Sequence, residues 1–189
     1  MAETDTDIET EPAQLDPEVA ERRRAALAEV RQFGDPVLKA KARPIDVFDD
    51  ELRAEVLRMG ALMDDAIGIG LAATQVGKLH RLLVYRMSSQ APLCAIINPS
   101  VTWTSKEKEI YEEGCLSLPG VALDIERPIY ATIEAQDEFG EHLTIEAAGL
   151  EARVLQHEID HLDGVLILDR APRDQRKEAM RTLRETLES

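Results

Sequence analysis

Apolar positions change their spacing along the chain, and the change marks out its elements. Leu52, Val56, Met59 and Met63 follow a helical stripe that opens near Asp49 and is ended by the "GIG" at 68–70. Upstream, "DPEVAERRRAALAEVRQFG" offers Asp16 as N-cap, Pro17 at the first helical position and Gly34 as the closing residue. Between these two helices "DPVLKAKARPIDVF", with prolines at 36 and 44, reads as extended. The middle of the chain has a shorter period. "HRLLVYRM", "PLCAIINP", "SVTWTSKEKEIY", "IYATIEAQ" and "EHLTIEAA" are short, rich in β-branched and aromatic residues, and separated by turn signals. "DEFG" between the last two predicts a hairpin turn. Helical spacing returns from Gly149 to about Leu162. "GVLILD" then predicts a last strand and "RDQRKEAMRTLRETLE" a charged, exposed terminal helix. Helices at both ends with strands between them predict an α+β fold rather than alternating βαβ units.

Composition narrows this picture. A chain of 189 residues, 44% hydrophobic and 31% charged, suits one globular domain. We assign that domain to residues 16–189 and an acidic disordered tail to 1–15, because residues 1–21 hold eight acids and no base. The formal charge of −15, with no basic-aromatic cluster, argues against direct nucleic-acid binding. No apolar run is long enough to span a bilayer, and "MAETDTDIETEPAQLD" lacks the features of a secretory signal, so the expected compartment is the cytoplasm. Two cysteines, Cys94 and Cys115, are too few for a disulfide scaffold.

"QHEIDHLDG" carries the chemistry. His157 and His161 are four apart, so on a helix both imidazoles leave the same face, with Glu158 beside the first. H-E-x-x-H on a helix is a zinc-hydrolase signature. Val154, Leu155, Ile159 and Leu162 make the helix apolar enough to be buried, against the plainer reading of two surface histidines. A catalytic site needs a third protein ligand and an open position. His80 and His142 sit beside strand-like segments without companions. Cys94 lies in an apolar strand and reads as a small core residue. Cys115 lies in "EEGCLSLPG", between a glycine and a proline-glycine turn, and is the favoured third ligand. Three alternatives remain. A metallopeptidase would draw its third ligand from Glu178, Glu185 or Glu188 downstream; the metal could be structural, in a binding protein; or Cys115 could be a nucleophile with a histidine base.

"GIGLAATQVG" fits the dinucleotide fingerprint through Gly68, Gly70 and Ala73. A helix precedes it instead of a strand, and no acid occurs between Asp65 and Glu107, so a nucleotide site is rejected. What remains is either tight packing or a groove with exposed backbone and Gln75 as a donor.

Taken together and in this order, "GIGLAATQVG", "EGCLSLPG" and "QHEIDHLDG" resemble the three signature motifs of peptide deformylases. The match extends through "FGDPVLKAKARPI" and "ERPIYATIEAQDEFG", to cover roughly residues 30–170. The resemblance implies antiparallel sheets around a central metal-binding helix, and removal of the formyl group from the formylmethionine of newly made polypeptides. It implies Cys115, His157 and His161 as metal ligands and Glu158 as general acid/base. Gln75 and the Leu116 N–H would stabilise the oxyanion. Gly70 and Gly114 would pair with the substrate backbone, and Ile69 and Val154 would line the methionine pocket. The implied metal is Fe(II), with zinc, nickel or cobalt able to substitute. The implied partners are nascent chains, met at the ribosome surface. Many members carry an arginine shortly after the cysteine motif, where this chain has Val121, Ala122 and Leu123.

These residue types suit amide hydrolysis. A bound divalent metal lowers the pKa of water toward about 7. A thiolate ligand makes the metal a weaker Lewis acid than three neutral ligands would, and is itself oxidisable. A carboxylate beside the ligands can take a proton and return it to the leaving amine.

Overall fold

The computed structural model describes residues 15–188. The expected tail at 1–15 therefore lies, except for Leu15, outside the described residues. Helix α1 (Pro17–Glu29) starts as its sequence dictates, with the Asp16 carboxylate accepting from the Glu18 N–H at 2.9 Å and Pro17 in the first turn. It stops well before Gly34, and Gly34 instead adopts φ 104 in the turn that follows. The stretch expected to be extended contains one 3₁₀ turn, Pro36–Lys39, capped by Asp35. Helix α2 (Asp50–Asp65) is capped by Asp49, whose carboxylate accepts from the Leu52 N–H at 3.0 Å.

Seven strands follow: β1 (Gly70–Ala72), β2 (Leu82–Tyr85), β3 (Cys94–Thr104), β4 (Lys108–Gly114), β5 (Ala122–Pro128), β6 (Tyr130–Gln136) and β7 (His142–Ala148). They form an antiparallel five-stranded sheet of order β1-β2-β3-β6-β7 and a separate antiparallel pair, β4-β5. The break expected at Pro99 is a bulge inside one long strand. Asn98 takes φ 54 there and bonds both backbone groups of Ile45. The 137–140 turn is as expected, with Gly140 at φ 87 and the Asp137 carboxylate accepting from Phe139 and Glu141.

Strand β2 is buried on both faces and explains the layering. Leu83 and Tyr85 point to helix α3 (Gly149–Leu162), joining Ile96, Ile133, Leu155, Ile159 and Leu162. Leu82 and Val84 point the other way, to the α2 stripe of Leu52, Val56, Met59 and Met63. Truncating one such residue, Leu155→Ala for example, costs about 2–5 kcal/mol. A third apolar cluster joins β5 to the chain's end through Leu123, Ile125, Leu166, Ile167, Leu168, Ala179 and Leu183.

Two expectations fail in this last region. "GVLILD" is not a strand: Gly164 turns the chain at φ 74, and helix α4 (Ile167–Arg170) makes one turn. Leu166, Ile167 and Leu168 are all buried in succession, which a half-exposed strand would not allow, and the Asp169 carboxylate accepts from the Leu166 N–H at 2.8 Å. Helix α5 (Arg173–Glu188) is charged on its outer face but not exposed all round, because Ala179 and Leu183 seat it on β5.

Candidate active site

Helix α3 runs between the large sheet and the β4-β5 pair and brings His157, Glu158 and His161 inside. His161 and Glu158 are buried, and the two imidazoles meet edge to face with ring centroids 4.9 Å apart. Cys115 follows β4 in a turn closed by the Leu118 N–H donating to the Cys115 carbonyl at 3.0 Å. That turn carries Cys115 Sγ to 3.3 Å from His161 Nε2, which is itself 3.2 Å from His157 Nε2. The three donor atoms all lie within 4.8 Å of one another. Among the described residues no other group of histidines, cysteines and carboxylates gathers in this way. Tetrahedral angles at ligand distances of about 2.0–2.3 Å require donor separations of about 3.3–3.6 Å, and the two separations from His161 Nε2 are close to that range. Of the acids in the peptidase alternative, Glu178 and Glu185 are exposed on α5, and Glu178 pairs with Arg181.

A buried ionic chain orients His157. The Glu113 carboxylate accepts from His157 Nδ1 at 2.9 Å, which leaves the Nε2 lone pair for the site. Arg127 grips Glu113 through Nε (2.7 Å) and Nη2 (2.9 Å) and reaches Asp160 through Nη1 at 2.8 Å. Arg153 also donates to Glu113 at 2.6 Å, and Arg170 closes on Asp160. Burial would raise the Glu113 carboxyl, but its bonds from His157 and Arg127 outweigh burial and hold it down at about 2. Burial would lower His157, yet Cys115 and Glu113 push it up to about 10, while burial sends His161 down. Two N–H groups cannot face each other across 3.2 Å, so at least one of the two Nε2 atoms presents a lone pair to the convergent point.

Glu158 sits against β1. It is 4% exposed, and its Oε2 has no hydrogen-bond partner among the described residues. Burial pushes its carboxyl up to about 7, with His157 and Arg127 acting in the opposite direction. Gln75 is buried in a 3₁₀ turn (Ala73–Val76). Its Oε1 accepts from the Ala72 N–H at 2.9 Å, and its Nε2 donates to Ser117 Oγ at 3.2 Å and lies 3.7 Å from Cys115 Sγ. The segment after α1 clips the two loops together: the Arg31 N–H donates to the Gln75 carbonyl (2.7 Å), Gln32 Nε2 to that of Leu116 (3.3 Å) and the Phe33 N–H to that of Ser117 (2.9 Å).

All ten residues predicted from sequence fall in one region. Nine of them, Ile69, Gly70, Gln75, Gly114, Cys115, Leu116, Val154, His157 and Glu158, line a cleft of about 740 Å³, and His161 lies beneath it. His80 and His142 do have companions, but these are single carboxylates, Glu55 and Glu134. Nothing in the sequence pattern singles out Glu113, Arg127, Asp160 or Ser117. The signal available is phase: Arg127 takes the inward place after Leu123 and Ile125 in β5, and an arginine in a buried phase demands buried acids.

The family model for polypeptide deformylase matches residues 27–177. A peptide deformylase of Acidothermus cellulolyticus is 44% identical over 160 residues, 85% of this chain and 87% of the relative. Among solved structures, a peptide deformylase of Synechococcus elongatus in complex with actinonin is 43% identical with a TM-score of 0.78, covering 81% of this chain and 85% of its own. One from Legionella pneumophila is 35% identical with a TM-score of 0.80, covering 84% and 94%. The motifs, the antiparallel frame around α3 and these matches agree, and the chain belongs to the polypeptide deformylase family.

Proposed function

We propose that this chain hydrolyses the formyl amide of N-formylmethionyl polypeptides and releases formate, with Cys115, His157 and His161 as metal ligands and Glu158 as general acid/base. The observation that carries the reading is the convergence of one sulfur and two imidazole nitrogens beside a buried carboxylate whose second oxygen is unpartnered. A divalent metal held there supplies Lewis acidity and makes water acidic enough to act near neutral pH. Glu158, with its carboxyl raised to about 7, is suited to accept a proton from the attacking water and to pass it to the methionine amine as that group leaves. The Gln75 amide and the Leu116 N–H are the donors for the negative charge that develops on the formyl oxygen. Gly114 lets a peptide backbone come close, since a Cβ there would meet nothing nearer than the Val121 carbonyl at 3.9 Å and the fold itself does not demand glycine. Ile69 and Val154 line the methionine side of the cleft.

The metal in this reading is Fe(II), with zinc, nickel or cobalt as substitutes; a mixed thiolate and imidazole set accepts all four. The chain acts as one catalytic domain over 16–189 in the cytoplasm, on nascent chains as they leave the ribosome surface. No described helix is long and apolar enough to cross a membrane. Formate release from formyl-Met-Ala-Ser, compared with acetate release from acetyl-Met-Ala-Ser, tests the activity. Rapid release from the formyl peptide alone supports it, and release from neither overturns it. Elemental analysis of protein purified without oxygen tests the choice of iron.

A further inference from the structure

Ile67 occupies the position after α2 where a helix normally ends on glycine. Its N–H donates to the Asp64 carbonyl at 3.0 Å, the next N–H, of Gly68, donates to Met63 at 2.9 Å, and Ile67 itself takes φ 60. A β-branched residue is strained in this left-handed region. Packing does not offset the strain, because Ile67 is 53% exposed and belongs to none of the three apolar clusters. Its side chain lines the active-site cleft. So do Arg23 and Leu27, one turn apart on α1. Leu27 also lies outside the apolar clusters. Arg23 makes no ion pair among the described residues, whereas its neighbour Arg24 pairs with Glu21 and Arg153, in the same cleft, is held by Glu113. The fold thus leaves two apolar side chains and one cation facing the cleft unused. The helix that carries two of them begins upstream of the matched family region.

We infer that Ile67, Leu27 and Arg23 form a specificity wall that contacts the substrate residues after methionine, Ile67 and Leu27 touching an apolar side chain and Arg23 an acidic one. The inference rests on the deformylase reading. Its test uses the metal-loaded full chain with two substrates, formyl-Met-Leu-Glu and the truncated formyl-methionine amide. Ile67→Gly and Ile67→Asn both suit the backbone at this position, so both should melt at or above the wild-type temperature. Each should lose about tenfold in kcat/KM on the tripeptide, mainly through KM, and lose distinctly less on the truncated substrate. Arg23→Ala should erase a preference for formyl-Met-Leu-Glu over formyl-Met-Leu-Lys. Equal losses on both substrates, no loss, or melting below wild type in both Ile67 variants would overturn the wall. Failure of the wild type on every formyl substrate would instead overturn the deformylase reading.

Discussion

A Cβ added to Gly70 would lie 2.6 Å from Glu158 Oε1. The glycine that opens β1 is therefore the space into which the Glu158 carboxylate fits, a role additional to the proposed pairing with substrate. Gly70→Ala should push Glu158 aside without touching the ligands. Misplacement of a catalytic group by about 1 Å costs on the order of 10²-fold in rate, so kcat should fall by about that factor while metal content stays constant. Gly114→Ala is the contrast: no clash threatens the fold, so its melting temperature should be unchanged and any loss should fall on KM. Kinetics and elemental analysis of the pair check both statements.

Glu113 ties His157, a proposed metal ligand, to the buried Arg127. Glu113→Gln should weaken metal affinity by about 10–100-fold and lower the melting temperature, because it leaves the buried Arg127 with Asp160 as its remaining carboxylate partner. The same group predicts a pH dependence. Its folded value of about 2 lies below the ordinary 4.5, so its contribution is complete above about 4.5 and is lost as pH falls toward 2. Denaturant melts from pH 6 to pH 2, run on metal-stripped wild type and Glu113→Gln, should show the wild type losing stability faster in that window. Parallel curves would exclude Glu113 as the cause.

Gln75 is already engaged, with its carbonyl oxygen on Ala72 and its amide on Ser117 and Cys115. Gln75→Met keeps length and removes the donor. If the amide serves the developing oxyanion, kcat should fall by about 10²–10³ with KM little changed and metal retained. A folded, metal-loaded variant within threefold of wild type would return Gln75 to a packing and loop-positioning role.

Glu158→Gln should keep its metal and lose deformylation, because the carboxylate stands beside the ligands rather than among them. Loss of bound metal in that variant would make Glu158 a ligand.

The candidate site is more legible in the sequence than the fold around it. His157, Glu158 and His161 are set by helical spacing alone, and Cys115 by its glycine and proline-glycine flanks. The rest of the polar site depends on contacts across the chain that no local pattern encodes. Glu113 and Arg127 become partners only because β4 pairs with β5, and Arg170 reaches Asp160 only because α4 folds back beneath α3. The same reason explains the misread "GVLILD". A run of apolar residues reads as a strand, but burial on every side can equally be met by one helical turn wedged between β5 and α5. Strand β5 itself is hard to see because acids fill its outward positions and arginine ends its inward ones.

Formate release from formyl-Met-Ala-Ser after metal stripping and reloading tests the central claim, that Cys115, His157 and His161 hold the catalytic metal. The account predicts that a chelator abolishes the wild-type rate, that Fe(II) or Ni(II) restores it, and that stripped Cys115→Ala, folded by thermal melt, is restored by neither. Full activity in the chelated wild type, or restoration of Cys115→Ala to the wild-type rate, would contradict it.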